Sequence, residues 1–196
     1  MKKDFRGLRS VLIVFFMALV VIGVYYRFSN KPVINSEEKQ GGKPSHVEEV
    51  LSRNLKTDYP QSPKEVVKYF SEITQCYYNE TFKENDENVV ALANKMLELY
   101  DEELTSYKAY PDYLFDLKSD IKFYNENGFK ISSYKPSAST DVIYFEEDGY
   151  EWARLWCVYT IKSSTDQKKV NEVFVLRKDK DSHWKIYGWK EDTENG

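Results

Sequence analysis

The sequence predicts an α+β domain that follows an N-terminal transmembrane helix. Between residues 62 and 127, apolar residues recur at spacings of three and four, which is the period of a helix. After Gly128 the period becomes two and the residues are largely β-branched or aromatic. Because the helical segments all precede the β segments, we expect three helices packed on a curved antiparallel meander sheet.

The longest uncharged stretch of the chain runs from Ser10 to Tyr26. As a helix with a rise of about 1.5 Å per residue it would span roughly 25 Å, close to the thickness of a bilayer core. A cleaved signal peptide would be followed by small residues, and the sequence Tyr25-Tyr26-Arg27-Phe28 does not provide them. We interpret residues 10–28 as an uncleaved single-pass signal anchor.

The charges beside this anchor predict its orientation. Four basic residues precede it, whereas only Arg27 and Lys31 follow it closely. Positively charged flanks stay on the cytoplasmic side of a membrane. We therefore expect residues 1–9 in the cytoplasm and the rest of the chain outside, at the cell membrane.

A polar segment separates the anchor from the folded domain. Residues 29–54 contain Gly41-Gly42 and two prolines, and their first part has no apolar period. This composition is typical of a flexible tether, to which His46 to Leu55 adds a pattern for one short helix. The predicted domain covers residues 55–190, and residues 191–196 form a C-terminal tail.

Local signals mark the ends of the three main helices. The first begins with a capping box from Ser62 to Glu65, with a proline at the first helical position. The second begins near Asp86, and the third follows Pro111. The third ends before Gly128, because glycine suits the left-handed position after a helix.

The β segments are separated by short turns. The tetrapeptide Glu146-Glu147-Asp148-Gly149 predicts a tight turn into a long third strand, and Asp179 to Ser182 joins the last two strands. The predicted strands are 129–134, 141–145, 150–162, 170–178 and 183–190.

The long strand is unusual because neither of its faces is polar. Ala153, Leu155, Cys157, Tyr159 and Ile161 share one side. A sheet covered by helices on one side normally alternates apolar with polar residues, so the second face needs a partner or a ligand. The candidate residues for this ligand or partner surface are Tyr150, Trp152, Arg154 and Trp156.

Arg154 has two interpretations. Among aromatic neighbours it could recognise an anionic group through bidentate and cation–π contacts. Alternatively it stacks across the outer face of the sheet and pairs with Glu172 or another acid on the adjacent strand.

The charge balance argues against several partners. Of 28 basic and 32 acidic residues, five and one lie in residues 1–29, which leaves 23 against 31 in the remainder. An acidic domain binds nucleic acid and anionic lipid poorly, because both are negatively charged. We expect neither partner, and the charge is explained by solubility.

The inventory of chemical motifs is small. The chain lacks G-x-S-x-G, a phosphate-binding glycine loop and H-E-x-x-H, and its histidines are His46 near the tether and His183 beside a turn. We therefore expect no cofactor, no metal and no enzymatic activity. Cys76 and Cys157 are candidates for a disulfide, and the alternative is two buried thiols.

The order of elements and the final strand carry a resemblance to a known superfamily. Three helices, a meander and the terminal sequence DSHWKIYGW, Asp181 to Trp189, resemble the nuclear transport factor 2-like superfamily over residues 55–189. The resemblance implies a conical cavity between the sheet and the helices. Its members use such a cavity for isomerase or cyclase chemistry, for ligand binding, or only for assembly.

The resemblance also suggests which residues would meet a ligand. In an isomerase-like site, Asp141 would be the base and a tyrosine the oxyanion donor. The alternative is a purely structural role, in which Asp141 begins a strand and the tyrosines belong to the core. The candidates for lining the cavity are Tyr69, Tyr77, Tyr144 and Tyr159.

A second likeness concerns the first helix. The stretch from Asp58 to Asn79 is similar to uncharacterised single-pass proteins of Gram-positive bacteria, which implies no activity. We therefore expect a non-catalytic, membrane-tethered extracytoplasmic binding or interaction module of the bacterial cell envelope, with a protein partner or a second copy, and room for a small ligand. The alternatives are an assembly subunit resembling those of conjugation or type IV secretion machines, and a small isomerase or cyclase.

Overall fold

The computed structural model describes residues 44–83 and 86–193. The predicted cytoplasmic segment 1–9, the anchor 10–28, the tether up to residue 43 and the last three residues of the tail lie outside this part. Within it, every helix is too short or too polar to cross a bilayer. The described residues belong to a compact unit that starts at Pro44.

These residues form five α-helices and then an antiparallel sheet, which confirms the α+β class. The bounds of the helices are α1 His46–Ser52, α2 Pro63–Asn79, α3 Glu87–Leu99, α4 Glu102–Ser106 and α5 Tyr110–Glu126. Helices α2, α3 and α5 correspond to the three main predicted helices, α1 is the short additional helix, and α4 was not predicted.

The predicted helix ends are largely confirmed. Ser62 caps α2 by accepting a hydrogen bond from the Glu65 backbone at 3.3 Å. The Glu65 carboxylate accepts from Gln61 at 2.9 Å rather than from Ser62, so the capping box is only half formed. Asp86 caps α3, and Gly128 follows α5 with a φ of 65°, as its position predicts.

Helix α1 belongs to the folded unit and not to a tether. Val47 and Val50 are buried in the core, and the Tyr69 hydroxyl of α2 donates to the Val50 carbonyl at 2.8 Å. The predicted domain boundary at 55 is therefore too late. The two valines are three positions apart, so they lie on one helix face and reach the core together.

The sheet contains five strands, all antiparallel to their neighbours. The bounds are β1 Lys130–Pro136, β2 Ile143–Glu147, β3 Tyr150–Lys162, β4 Gln167–Lys178 and β5 Trp184–Glu191. Strand β3 lies at the centre, β4 pairs along one side of it, and β5 pairs with the far side of β4. The other side of β3 is shared, with β1 beside its C-terminal half and β2 beside its N-terminal half.

The first two strands thus differ from a simple meander, because they do not pair with each other. A short 3₁₀ helix, Ser139–Asp141, interrupts one long edge of the sheet and separates them. The next connection is the predicted tight turn. Asp148 and Gly149 have φ values of 52° and 77°, as a two-residue type I′ hairpin requires.

Helix α2 packs on one side of the sheet, which we call the helix-facing side. Ala153, Leu155 and Cys157 point to this side and are fully buried, and the hydroxyls of Ser71 on α2 and Tyr159 on β3 are 2.7 Å apart. Trp152, Arg154 and Trp156 point to the opposite side, the outer face, where they are half-buried or exposed.

Candidate functional site

A cavity of about 630 Å³ lies between the helices and the helix-facing side of the sheet. This volume is within the range of pockets that hold small organic ligands. Most of its lining is apolar or aromatic, with eight tyrosines among the described residues: Tyr77, Tyr78, Tyr100, Tyr107, Tyr110, Tyr113, Tyr124 and Tyr159.

Helical spacing explains how these side chains converge. On α2, Thr74 and Tyr78 are four residues apart and line the cavity from one helix face. On α5, Tyr113, Leu117 and Tyr124 follow at spacings of four and seven and line the facing wall. The sheet closes the third side.

Three tyrosines place their hydroxyls deep in the cavity. Tyr77 is only 2% exposed, and its hydroxyl has no hydrogen-bond partner of ordinary geometry in the described part of the chain. The Tyr113 hydroxyl lies near those of Tyr77 and Tyr100 and interacts loosely with both. Burial raises the pKa of Tyr77 and Tyr100 well above the usual value, so these hydroxyls stay protonated at neutral pH.

Glu172 is an acidic residue in this mostly apolar lining. It lies on β4, across from Cys157 on β3 and Glu191 on β5, and it faces the cavity. Its carboxylate forms no ion pair and no hydrogen bond with the described residues. Burial, reinforced by the negative charge of Glu191, raises the pKa of Glu172 to about 7.

An aromatic pair stands beside this carboxylate. The rings of Tyr78 and Tyr124 stack at a centroid distance of 3.9 Å with an interplanar angle of 19°. After burial, the charges of Asp120 and Glu172 help to raise the pKa of both tyrosines, so both carboxylates lie close to the stack. Burial and the neighbouring Asp116 raise the pKa of Asp120 itself.

Two of the four tyrosines expected in the cavity line it, namely Tyr77 and Tyr159. Tyr69 does not, because its hydroxyl is bonded to the Val50 carbonyl beneath α1. Tyr144 lies on the β2 edge, is 57% exposed and packs against Trp184 at 5.7 Å. The expectation for Tyr69 and Tyr144 is therefore corrected.

Asp141 also lies outside the cavity. It is exposed in the 3₁₀ helix, where Thr140 donates to its carboxylate at 3.1 Å. The isomerase-like pairing of Asp141 with a cavity tyrosine is therefore not formed. Among the lining residues, Glu172 is a half-buried acid that was not predicted to lie here.

The two cysteines are free thiols in the helix-packed core. Burial raises the pKa of Cys76 to about 12 and also raises the pKa of Cys157. The Cys157 sulfur lies 3.8 Å from the Ser71 hydroxyl. Of the two alternatives left open by the sequence, the structure therefore contains two buried thiols and no disulfide.

The predicted surface residues Tyr150, Trp152, Arg154 and Trp156 all lie on the outer face. Trp156 donates to the Asp192 carboxylate at 2.9 Å, and Trp152 donates to the Glu147 carbonyl at 3.0 Å. The Arg154 guanidinium lies 5.9 Å from the Trp156 ring. These contacts hold the aromatic side chains in fixed positions.

Glu172 is not the partner of Arg154, because it points to the opposite side of the sheet. A different cation, Arg177 on β4, lies among the aromatic side chains of the outer face. It was not among the residues predicted from the sequence. Its guanidinium lies 4.7 Å from the ring centroid of Tyr150, 5.5 Å from that of Trp152 and 5.1 Å from that of Tyr187.

Metal-binding side chains do not cluster in the described residues, where no group of three or more His, Cys, Asp or Glu could hold an ion.

Comparison with known proteins gives one family relationship. The family model described as "Domain of unknown function (DUF6715)" matches residues 1–189. None of the curated proteins matches this chain. Because the match covers the predicted anchor and nearly all of the described domain, the chain belongs to the DUF6715 family.

Proposed function

We propose that this protein is a non-catalytic, membrane-tethered binding module of the cell envelope, which holds a small and largely apolar ligand. The cavity of about 630 Å³ is the observation that carries the proposal. Pockets of this size, lined by aromatic side chains with a few polar groups, are typical of small-molecule sites.

The proposal includes a nuclear transport factor 2-like arrangement of the domain. In that superfamily the ligand site is a cone between helices and sheet, and here a cavity lies between α2, α5 and the helix-facing side. The terminal sequence from Asp181 to Trp189 supports the same assignment. Fold alone does not select a function, so the proposal depends on the cavity.

The proposed location follows from the N-terminal sequence. Residues 10–28 would anchor the chain as a single span, with residues 1–9 in the cytoplasm and the domain outside. Support comes from the uncharged stretch and from the basic residues before it. The cavity would then be open to molecules of the envelope.

The buried tyrosines of the lining favour binding over catalysis. Burial raises the pKa of Tyr77, Tyr100 and Tyr159, so these hydroxyls hold their protons near neutral pH. They can donate hydrogen bonds to a ligand but are poor bases. This is how a polar contact can orient a ligand without transforming it.

Native mass spectrometry of the full-length chain, released from lipid nanodiscs, tests the proposal. We expect a mass excess that disappears on denaturation. Val170→Phe on β4 should abolish the excess, because Val170 lines the cavity. Val173→Phe is the matched control, since Val173 lies on the same strand and points to the outer face. Absence of any excess, or an excess that Val170→Phe leaves unchanged, would contradict the proposal.

The outer face supports a second candidate function, contact with a protein partner or with a second copy. Ile143, Phe145 and Tyr150 are 41%, 36% and 47% exposed and project to that face beside Trp152. Apolar side chains that adjoin on a surface are a common feature of protein contacts.

A further inference from the structure

The charges of the cavity are unbalanced. Its charged lining residues are Lys108, Asp116, Asp120 and Glu172. Lys108 forms an ion pair with Asp116 at the exposed rim and also acts on the nearby Asp120, which leaves Glu172 without a cation among the described residues. The Glu172 carboxylate is half-buried, and an acid that is partly removed from water without a partner is costly, so a ligand that supplies positive charge would be favoured.

The aromatic faces beside these acids suit the same kind of ligand. The stacked pair of Tyr78 and Tyr124 lies close to both Asp120 and Glu172. Tyr100 and Trp189 add further rings, with centroids 5.5 Å apart. A cation over the face of an aromatic ring is attracted by the negative potential of that face.

The Tyr77 hydroxyl provides an independent indication of a ligand. It is buried in the cavity lining and has no partner of ordinary geometry among the described residues. A buried hydroxyl whose contact with Tyr113 is only loose lacks part of its hydrogen-bond energy, and a polar group of a ligand would recover it.

We infer that the cavity binds an organic cation, a protonated amine or quaternary ammonium group on an apolar body. The cationic head would lie between Glu172, Asp120 and the Tyr78–Tyr124 stack, and the apolar body would lie against Met96 and Leu117. This inference rests on the proposed binding function and names the ligand class for the same site.

The ionisation of Glu172 gives the inference a pH dependence. The groups that face it are Cys157 and Tyr159 from β3, Glu191 from β5, Tyr78 from α2, and Tyr124 and Asp120 from α5. Glu191 is paired with Lys168 at 3.7 Å. Because the pKa of Glu172 is about 7, a bound cation would stabilise its carboxylate and displace its proton. Affinity for a cation should therefore increase as the pH rises through 7.

Two probes that differ only in charge test this inference. They are benzyl(2-hydroxyethyl)dimethylammonium and its uncharged carbon isostere, 3,3-dimethyl-4-phenylbutan-1-ol. Titration calorimetry uses the full-length chain in lipid nanodiscs, with empty nanodiscs as the blank. At pH 8 we expect the cation to bind about tenfold or more tightly than the isostere. At pH 6 most of that preference should be lost.

Variants assign the preference to one side chain. Glu172→Gln should reduce the preference for the cation at pH 8 to less than about threefold. Glu146→Gln is the control, because it removes the same charge from an exposed position on β2 and should keep the preference.

The outcomes distinguish failure of the cation inference from failure of the cavity as a binding site. Equal binding of both probes to the unmodified chain would overturn the inference and leave the cavity as a binding site. Binding of neither probe would overturn the inference and also weigh against the cavity as a ligand site. Should Glu172→Gln fail to fold, the comparison of the two probes on the unmodified chain still decides the question.

Discussion

Arg177 on β4 and Asp101 at the start of α4 form a bidentate ion pair, with Nη2–Oδ1 and Nε–Oδ2 distances of 2.6 and 3.0 Å. The two side chains are only 13% and 5% exposed. Asp101 also caps α4 by accepting from the Glu103 backbone, and its own N–H donates to the Ile186 carbonyl. The pair therefore joins the segment after α3 to the sheet.

The first prediction is that Asp101→Asn destabilises the domain by about 3 kcal/mol, because it leaves the Arg177 charge buried without its main partner. Asparagine retains the capping oxygen of α4, so the loss reports the ion pair rather than the cap. Urea denaturation followed by circular dichroism measures the change in the free energy of unfolding.

Glu151→Gln is the matched control, since the Lys178–Glu151 pair is more exposed at a similar distance of 3.0 Å. We expect a loss below about 1 kcal/mol from it. Equal losses for the two variants would mean that Glu103 and the surrounding rings already balance the Arg177 charge.

The second prediction concerns helix α1. Tyr69→Phe removes the donor to the Val50 carbonyl and should cost about 1 kcal/mol of unfolding free energy, because the hydrogen bond is buried. Tyr107→Phe is the control, since Tyr107 is 81% exposed, and it should change stability by less than about 0.5 kcal/mol. The same small change for both would indicate that apolar packing alone holds α1.

Local sequence chemistry explains which parts of the fold could be predicted. The bounds of β3, Tyr150–Lys162, agree with the predicted strand, because a tight turn precedes a sustained period of two. The start of α2 follows from Ser62 and the proline beside it. These features depend on residues within a few positions of each other.

Features that depend on distant residues were not predicted. Asp101 and Arg177 are 76 positions apart, and no local pattern joins them. Glu172 is instructive because it alternates with Phe174 and Leu176, which does place it on the buried side. Carboxylates are rarely buried, so pairing with exposed Arg154 was the more ordinary expectation. The face of α2 that carries Tyr69 also depends on α1, whose docking the sequence left open.

The third prediction concerns the outer face. Trp152→Ala should leave the domain folded and weaken its association with a partner or a second copy, because the indole lies beside exposed Phe145 and Tyr150. Analytical ultracentrifugation of the full-length chain in nanodiscs measures self-association. Circular dichroism checks the fold. Phe115→Ala serves as the control, because Phe115 lies on α5 and is 71% exposed.

Loss of the fold in Trp152→Ala would identify Trp152 as a structural residue of the sheet and would count against the outer face as an interface. Unchanged self-association in a folded variant would count against the outer face as an interface between two copies of the chain. Trp152→Ala removes contacts with Glu147 and Tyr187, so we expect a moderate loss of stability. The variant still tests the interface as long as its circular dichroism spectrum remains native.

The final prediction is a pH effect on stability from Glu172. The pKa of Glu172 is about 7 in the folded domain and near 4.5 in the unfolded chain, so the folded state binds the proton more tightly. Stability should therefore be greatest at low pH with respect to this group and should fall as the pH rises from about 4.5 to about 7. A pKa difference of this size corresponds to roughly 3 kcal/mol.

Glu172→Gln keeps a neutral side chain in the same place and removes this dependence. Compared with the unmodified chain, it should be more stable by roughly 3 kcal/mol at pH 8 and by about 1 kcal/mol or less at pH 5. Urea denaturation at both pH values measures the difference, with Glu146→Gln as the exposed control that should follow the unmodified chain. A constant difference at the two pH values would mean that the Glu172 carboxylate is solvated, and the cavity would then lack the uncompensated acid on which the cation inference depends.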